Sequence, residues 1–264
     1  MPTYRLTLEY DGTAFSGWQV QPHRRTVAGV LSDALQQVSG EWPAMTAAGR
    51  TDAGAHAHGQ VAGVSMERAW EPFRLLAALN GVLPEDVAVV DAALEADSFD
   101  ARRDAVDRTY TYVVVSRGVP APVLRRYSWT VRGPLDVEAM RAAGSALLGR
   151  RDFTAFGGAT SPHGTTVRTV HDVSIQEAAP PVRRDGPRID ALLITVRADA
   201  FLRGMMRAFA GALVKVGQGR VHSGWVAETL EIAGERSTQV PLAPARGLHQ
   251  WAVSYPSRTV ASAA

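Results

Sequence analysis

The order of strand-like and helix-like segments constrains the fold of this chain more than any other feature of its sequence. Between residues 4 and 92, alternating and helical hydrophobic patterns follow one another in the order β-α-β-β-α-β. The predicted strands span 4–10, 44–48, 60–65 and 87–92, and the predicted helices span 27–38 and 72–80. Thr26 can cap the first helix, and Gly40 stands where a glycine ends one. This order predicts a ferredoxin-like unit.

The rest of the chain repeats the order of elements without repeating the sequence. Strands are predicted at 109–115, 167–176, 188–197 and 249–255, and helices at 135–148, 201–216 and 225–233. We therefore predict an α+β protein with two ferredoxin-like β-α-β-β-α-β halves, 1–105 and 106–264, whose mainly antiparallel sheets pair edge to edge or face each other. A cleft between them would hold the active site. Residues 179–187 are predicted to be a loop or insertion, and 257–264 a frayed tail.

Composition excludes several classes of site. The 264 residues include no cysteine, which rules out disulfides, thiolate metal sites and cysteine nucleophiles. The net charge is only +2, so affinity for a polyanion has to come from clustered arginines rather than from bulk charge. No apolar run approaches the roughly 18 residues that span a bilayer, and we expect a soluble cytoplasmic protein without a membrane partner.

The loop at 49–60 is the strongest candidate site, because it combines an arginine, Asp52 and two histidines where structure alone needs few ionisable groups. Taken alone, Asp52 fits an Asx-turn better than a catalytic role. A second alternative is a metal hydrolase that uses Asp52, His56 and His58, although a catalytic metal also needs partners that orient its ligands.

Two further regions carry residues with chemical potential. Tyr110 and Tyr112 follow Arg108 at strand spacing and could simply pack on one face. Arg203 and Arg207 lie four residues apart, which places them on one face of the predicted helix. They form either a solvated basic face or a site where one arginine turns inward to pair with a buried carboxylate.

Further motifs occur in order along the chain. They are Tyr10-Asp11-Gly12, Gly17-Trp18-Gln19, Arg25-Thr26-Val27, Ala48 to Gly54, Gly59-Gln60-Val61, Phe99 with Ala101 and Arg102, Arg108 with Tyr110 and Tyr112, Asp152-Phe153, Phe201 with Met205 and Arg207, Ala243-Pro244-Ala245, Gly247-Leu248 and Tyr255-Pro256. Together they resemble the TruA family of tRNA pseudouridine synthases over nearly the whole chain. The sequence departs from the family pattern at Ala28, Asp100, Gly204, Ala208 and Gln250, where glutamine, histidine, two larger polar residues and leucine are common.

The resemblance implies a cofactor-free and metal-free isomerase that converts uridine to pseudouridine at positions 38–40 of the tRNA anticodon arm. Asp52 would act on ribose C1′, Arg207 would pair with Asp52, and Tyr110 would stack on the uracil. Arg50 would hold phosphate and help extrude the nucleotide. The remaining RNA contacts would come from Arg24, Arg25, Arg102, Arg103, Arg203 and His56. The family also implies a homodimer that embraces the tRNA.

A tandem RNA-recognition module without catalysis is the non-enzymatic alternative, because that module shares the β-α-β-β-α-β order. Its third strand displays aromatic residues that stack on bases. The corresponding segment here, 60–65, contains no aromatic residue, which counts against this alternative.

Overall fold

The computed structural model describes residues 1–159, 164–178, 190–232 and 234–256. The predicted loop at 179–187, the tail at 257–264 and the first two residues of the predicted strand 188–197 lie outside the described residues. The strands are β1 Thr3–Tyr10, β2 Ala44–Ala47, β3 His56–Ser65, β4 Val87–Glu95, β5 Asp107–Ser116, β6 Trp129–Val131, β7 Gly149–Asp152, β8 Val167–Ala178, β9 Asp190–Ala198 and β10 Leu248–Ser254. The helices are α1 Val27–Ser39, α2 Pro72–Asn80, α3 Val137–Ser145, α4 Met205–Gly217 and α5 Trp225–Leu230. Three short 3-10 turns span Gly12–Ala14, Thr154–Phe156 and Ala245–Gly247.

The strands of the described residues form one sheet in the order β4-β1-β3-β10-β5-β9-β8-β7, with β2 paired to β3 and β6 paired to β5. Most pairs are antiparallel, which confirms the predicted α+β class. The exceptions are the parallel pairs β3–β10 and β5–β6. The β3–β10 pair joins the early strands to the late ones edge to edge through His249 opposite His56 and Gln250 opposite Ala57. The division at residue 105 stays a proposal.

Two hydrophobic cores lie where helices cover the sheet. In the first, Tyr4, Leu6 and Leu8 on alternate positions of β1 pack with α1 and α2. In the second, α3 and α4 cover β5, β8 and β9, with Phe209 of α4 fully buried between Phe153 and Phe156. The loop before β3 and the segment before β10 come together near the β3–β10 junction, and the candidate site lies there.

Local signals set both ends of α1 and the start of α4. Thr26 accepts a hydrogen bond from the backbone N–H of Gly29 at the start of α1, and Gly40 ends it with a left-handed φ of 79°. In contrast, α4 begins at Met205 rather than at residue 201, because Gly204 adopts a left-handed φ of 73°. Arg203 therefore lies before the helix and pairs with Gly158 in an isolated bridge, so the prediction that it shares a helical face with Arg207 is wrong.

A β-bulge shapes the start of β3. Tyr10 of β1 pairs with Ala57, whereas Leu8 pairs with Gln60, so two residues of β3 oppose the single residue between them on β1. The bulge turns the Gln60 side chain to the same face as Tyr10, toward the loop that carries Asp52. Gly59 within the bulge has no room for a side chain, because a Cβ there would lie 2.6 Å from the carbonyl oxygen of Trp251.

Candidate active site

The loop between β2 and β3 carries Asp52 and is fixed on both sides of that residue. Before it, the Gln60 amide donates to the carbonyl of Gly49 at 2.8 Å. At the loop centre, the backbone N–H of Trp18 donates to the carbonyl of Thr51 at 3.1 Å, and the Thr51 hydroxyl lies 2.8 Å from that of Tyr10. These contacts hold the loop backbone without using the Asp52 carboxylate.

Asp52 forms an ion pair with Arg207 rather than an Asx-turn. The backbone N–H of Ala55 donates to the Asp52 carbonyl at 3.1 Å, so the turn closes through backbone atoms. The carboxylate oxygen Oδ2 instead accepts from Nη1 of Arg207 at 2.6 Å. The Asp52 side chain is 31% exposed, so the carboxylate is paired while part of it still faces solvent. A charge-assisted hydrogen bond of this kind fixes the orientation of the carboxylate.

Arg207 connects the Asp52 loop to the segment before β10. Its Nε donates to the carbonyl of Ala243 at 2.7 Å, and the backbone N–H of Ala243 donates back to the Arg207 carbonyl at 3.1 Å. Tyr112 fixes the same segment by donating its hydroxyl to the Pro244 carbonyl at 2.6 Å. The guanidinium that faces Asp52 is thus held by α4 and by a second segment, which restricts its position.

Tyr110 lies on β5 beside the loop. Its ring is 7% exposed and meets Phe201 edge-on, with ring centres 4.7 Å apart. A Cβ on Gly49 would lie 3.0 Å from the Tyr110 hydroxyl, so the hydroxyl abuts the loop backbone. Burial raises the pKa of Tyr110 to about 12, Arg108 opposes that rise, and the Asp52 carboxylate adds to it. The phenol is therefore protonated at neutral pH and is suited to donate a hydrogen bond rather than to accept a proton.

Arg108 fixes the backbone around the site, a role that sequence reasoning missed. Its side chain is buried and donates to the carbonyls of Ala48, Arg102, Ala105 and Asp199 at 2.6–3.2 Å. Ala48 directly precedes the Asp52 loop. An arginine inside a strand next to two tyrosines was the available signal, but the carbonyls that it binds are distant in sequence.

Two buried glutamines, Gln60 on β3 and Gln250 on β10, hold the start of the Asp52 loop. Gln250 donates its amide to Oε1 of Gln60 at 3.0 Å, and Gln60 in turn donates to the Gly49 carbonyl. Gln250 is one of the departures from the family pattern, and its own Oε1 is buried without a hydrogen-bond partner in the described residues. The leucine common at this position could not make the bond to Gln60.

His56 is a structural residue in this arrangement. The backbone N–H of Gly12 donates to its Nδ1 at 3.1 Å, and its Nε2 lies 2.8 Å from the carbonyl of Arg126. An Nδ1 that accepts from Gly12 carries no proton, so the Asp11 carboxylate 3.2 Å away is a neighbour rather than an ion-pair partner. Burial lowers the pKa of His56, which agrees with a neutral ring. With both ring nitrogens engaged and 2% of the residue exposed, its placement does not support the predicted contact with RNA.

The structure does not assemble the alternative metal site at Asp52, His56 and His58. Asp52 pairs with Arg207, whereas His58 contacts Glu9 at 3.1 Å and His249 at 3.3 Å. Across the part of the chain that the structure describes, no three histidine or acidic side chains are grouped so that they could bind a metal ion.

The stacked histidines predict a pH-dependent stability. The pKa of His249 is lowered to about 4, mainly by burial and in smaller part by the nearby rings of His56 and His58. A histidine in the unfolded chain has a pKa near 6.5. As the pH falls from 7 to 5, the unfolded chain therefore binds a proton at this residue before the folded chain does, and the free energy of unfolding falls by roughly 2 kcal/mol. We expect urea unfolding to show this loss in the wild type and a smaller one in His249→Gln. His222→Gln, at an exposed histidine, serves as the control; an unchanged pH dependence in His249→Gln would contradict the assignment.

The arginines predicted to bind RNA occupy different environments. Arg50 is exposed beside Asp52, and Arg24, Arg102, Arg103 and Arg203 are exposed elsewhere. Arg25 instead forms a bidentate ion pair with Asp86 at 2.7 and 2.8 Å and lies over the ring of Phe15. Arg103 pairs with Asp100.

The sequence of the chain is similar to those of known tRNA pseudouridine synthases. Residues 7–102 and 143–256 match the sequence model of a family described as tRNA pseudouridine synthase. The chain is 43% identical over 263 residues to tRNA pseudouridine synthase A of Myxococcus xanthus, covering 98% of this chain and 96% of that protein. It is 40% identical over 265 residues to the protein of the same name from Azorhizobium caulinodans, covering 100% and 98% of the two chains. The Paracoccus denitrificans protein of that name is 40% identical, with 97% of each chain covered. Within the described residues, no helix is long and apolar enough to cross a membrane.

Proposed function

Because this chain belongs to the tRNA pseudouridine synthase family, we propose that it converts uridine to pseudouridine at positions 38–40 of the tRNA anticodon arm, with Asp52 as the essential carboxylate. Family membership makes the protein an isomerase and its substrate tRNA, as the motif resemblance predicted. It also removes the two alternative functions, a non-catalytic RNA-binding module and a metal hydrolase. The choice of the anticodon arm and the roles of individual residues are our proposal.

The ion pair between Asp52 and Arg207 is the observation that carries the residue assignments. The reaction breaks the bond from uracil N1 to ribose C1′, rotates the base, and forms the bond from C5 to C1′. The C5 proton leaves and N1 gains a proton, so the isomerisation is balanced without oxidant, reductant or energy source. A paired carboxylate that is partly open to solvent can approach the electron-poor C1′, as carboxylates do in glycoside cleavage.

Tyr110 is proposed to retain the uracil after its bond to the ribose is broken. Its ring borders the loop that carries Asp52, and Phe201 packs against it edge-on. A protonated phenol can donate a hydrogen bond to the base, while its ring offers an aromatic surface. Because its pKa is raised to about 12, we do not assign Tyr110 the removal of the C5 proton at neutral pH.

Contacts with the RNA backbone are assigned to exposed arginines. Arg50 is proposed to bind phosphate beside the target nucleotide and to help extrude it from the stem. Arg24, Arg102, Arg103 and Arg203 are proposed to contact phosphates farther along the anticodon arm. Arg25 contributes only if RNA competes with its ion pair to Asp86. We also propose, from the family resemblance, a homodimer that binds tRNA across both subunits in the cytoplasm.

Position-specific tritium release tests the proposed function. Unmodified tRNA transcripts that carry [5-³H]uridine only at positions 38–40 should release tritium in step with pseudouridine formation, because formation of the C5–C1′ bond expels the C5 hydrogen. Transcripts labelled only outside the anticodon arm serve as the matched control and should release none. Release from the control transcripts alone would overturn the positional assignment, and no release from any tRNA would overturn the activity.

A further inference from the structure

An open pocket of about 490 Å³ lies beside the Asp52 loop and plays no part in the assignments above. Its lining consists of Thr13, Gly54, Arg125, Arg126, Thr130 and Arg246. Gly54 is only two residues from Asp52, so the Cα atoms of the two residues are at most about 7 Å apart. A ligand in this pocket would therefore be a close neighbour of a nucleotide whose ribose contacts Asp52.

The pocket carries three positive charges and no acidic residue in its lining. Among the described residues, Arg125, Arg126 and Arg246 form no ion pair. Arg125 donates from Nη1 to the Pro122 carbonyl at 3.1 Å, and Arg246 donates from Nε to the Ser128 carbonyl at 3.3 Å. Since a guanidinium has five N–H donors, most of the donors of both side chains stay available.

Asp11, two residues before Thr13 of the lining, forms no ion pair with these arginines among the described residues. Asp11 accepts hydrogen bonds from the backbone N–H and hydroxyl of Thr13 at 2.9 and 2.6 Å, and from the hydroxyl of Tyr127 at 2.9 Å. All three hydrogen bonds to Asp11 therefore come from neutral donors rather than from arginine. The three unpaired guanidinium groups and the hydroxyl of Thr130 can donate to the oxygen atoms of a phosphodiester, whereas the hydroxyl of Thr13 is already used by Asp11.

The backbone that presents the arginines is anchored. His56 and His249 bind the carbonyls of Arg126 and Tyr127 through their Nε2 atoms at 2.8 and 2.9 Å. On the other side of the pocket, Tyr112 holds the carbonyl of Pro244, two residues before Arg246. Contacts from β3, β5 and β10 therefore fix the backbone on both sides of the pocket, although the side chains of Arg125, Arg126 and Arg246 are exposed.

We propose that this pocket, which we call the Arg125 pocket, binds a backbone phosphate of the substrate RNA next to the target uridine. This inference rests on the proposed function and adds a phosphate site to it. Phosphate contacts fix the register of a nucleic acid without reading its sequence. The Arg125 pocket would thus hold the strand beside the extruded nucleotide and align the ribose with Asp52.

The test compares two pairs of arginines, each pair consecutive in sequence: one in the pocket and one far from it. We expect Arg125→Ala/Arg126→Ala to weaken tRNA binding at least tenfold and to reduce the slope of log K against log salt by about 1–2. The control, Arg150→Ala/Arg151→Ala, removes an equally exposed pair from β7, four strands from β10, and should change neither quantity by more than about twofold. Equal losses in both variants, or an unchanged salt slope in the pocket variant, would overturn the proposal.

A neutral backbone linkage identifies the phosphate involved. Anticodon-arm RNAs with a single methylphosphonate on either side of the target uridine should bind the wild type more weakly, whereas the pocket variant should lose little further affinity. If the methylphosphonate weakens binding as much in the pocket variant as in the wild type, the two losses of affinity are additive, and the proposed contact between the arginines and that phosphate is refuted. Arg125→Lys/Arg126→Lys keeps the charge but not the forked geometry, so it should restore the salt slope and only part of the affinity. Thermal unfolding of each variant checks that the fold is intact.

These binding measurements are independent of catalysis. If wild-type protein releases no tritium from any tRNA, the proposed function fails, while the affinities still report on the Arg125 pocket. If wild-type protein releases tritium and the pocket variant binds RNA normally, only the pocket proposal fails.

Discussion

Asp52→Asn is expected to abolish tritium release from [5-³H]uridine-labelled tRNA, with a loss of at least about 10⁴-fold in kcat. Asparagine has the shape of aspartate and can still accept the hydrogen bond from Nη1 of Arg207, so the loop should keep its position. It lacks the negative charge needed to attack or stabilise C1′. Affinity for tRNA should stay within about threefold of the wild type, because the lost group acts on the reacting atoms.

Asp86→Asn is a matched control for the first prediction. Asp86 also pairs with an arginine, Arg25, in the same part of the chain, but it contacts none of the residues proposed to act on the uridine. Its removal should leave kcat nearly unchanged. Normal turnover by Asp52→Asn, measured as tritium release and as pseudouridine in the isolated tRNA, would refute the assigned role of Asp52.

Arg207→Ala is expected to lower kcat by about 10²–10³-fold with a smaller change in KM. The substitution removes the partner of a half-buried carboxylate and also the donor to the Ala243 carbonyl. Asp52 would lose its orientation, and the segment before β10 would lose one of its anchors. Arg207→Lys should recover part of kcat, since an ammonium restores the charge but cannot serve both acceptors with fork geometry.

Arg203→Ala separates this effect from a general loss of basic charge. Arg203 lies four residues earlier on the chain and is exposed, so its removal should affect tRNA binding rather than kcat. Comparable, small effects of Arg203→Ala and Arg207→Ala would remove the case for a functional ion pair. Thermal unfolding of both variants shows whether any loss of activity comes from loss of the fold.

The parts of the fold that sequence predicted are those determined by local signals. Thr26 and Gly40 bound α1 as expected, because a cap and a left-handed glycine act within one turn of the helix. Strand β7, Gly-Arg-Arg-Asp, was missed because it is short and exposed and pairs only with β8, so it shows no hydrophobic alternation. The start of α4 was placed too early because apolar residues at 201 and 202 continue the pattern beyond Gly204.

The candidate site depended on contacts that periodicity does not encode. Asp52 and Arg207 are 155 residues apart, and their pairing was expected only from the resemblance of ordered motifs. Arg108 and Gln60 bind backbone carbonyls, which carry no sequence signal at all. The two histidines of the loop suggested a metal, whereas His56 is used as a bridge between two backbone segments.

The position of β10 in the sheet has a consequence for how the protein is made. This strand, the last one described along the chain, lies between β3 and β5 and contributes the link between the earlier and later strands. During synthesis, the loop that carries Asp52 emerges early, its partner Arg207 emerges 155 residues later, and β10 emerges later still. Contacts so distant in sequence form slowly. A nascent chain that has not reached β10 therefore leaves the edge of β3 at His56 and Ala57 unpaired, and one that has not reached Arg207 lacks the partner of Asp52.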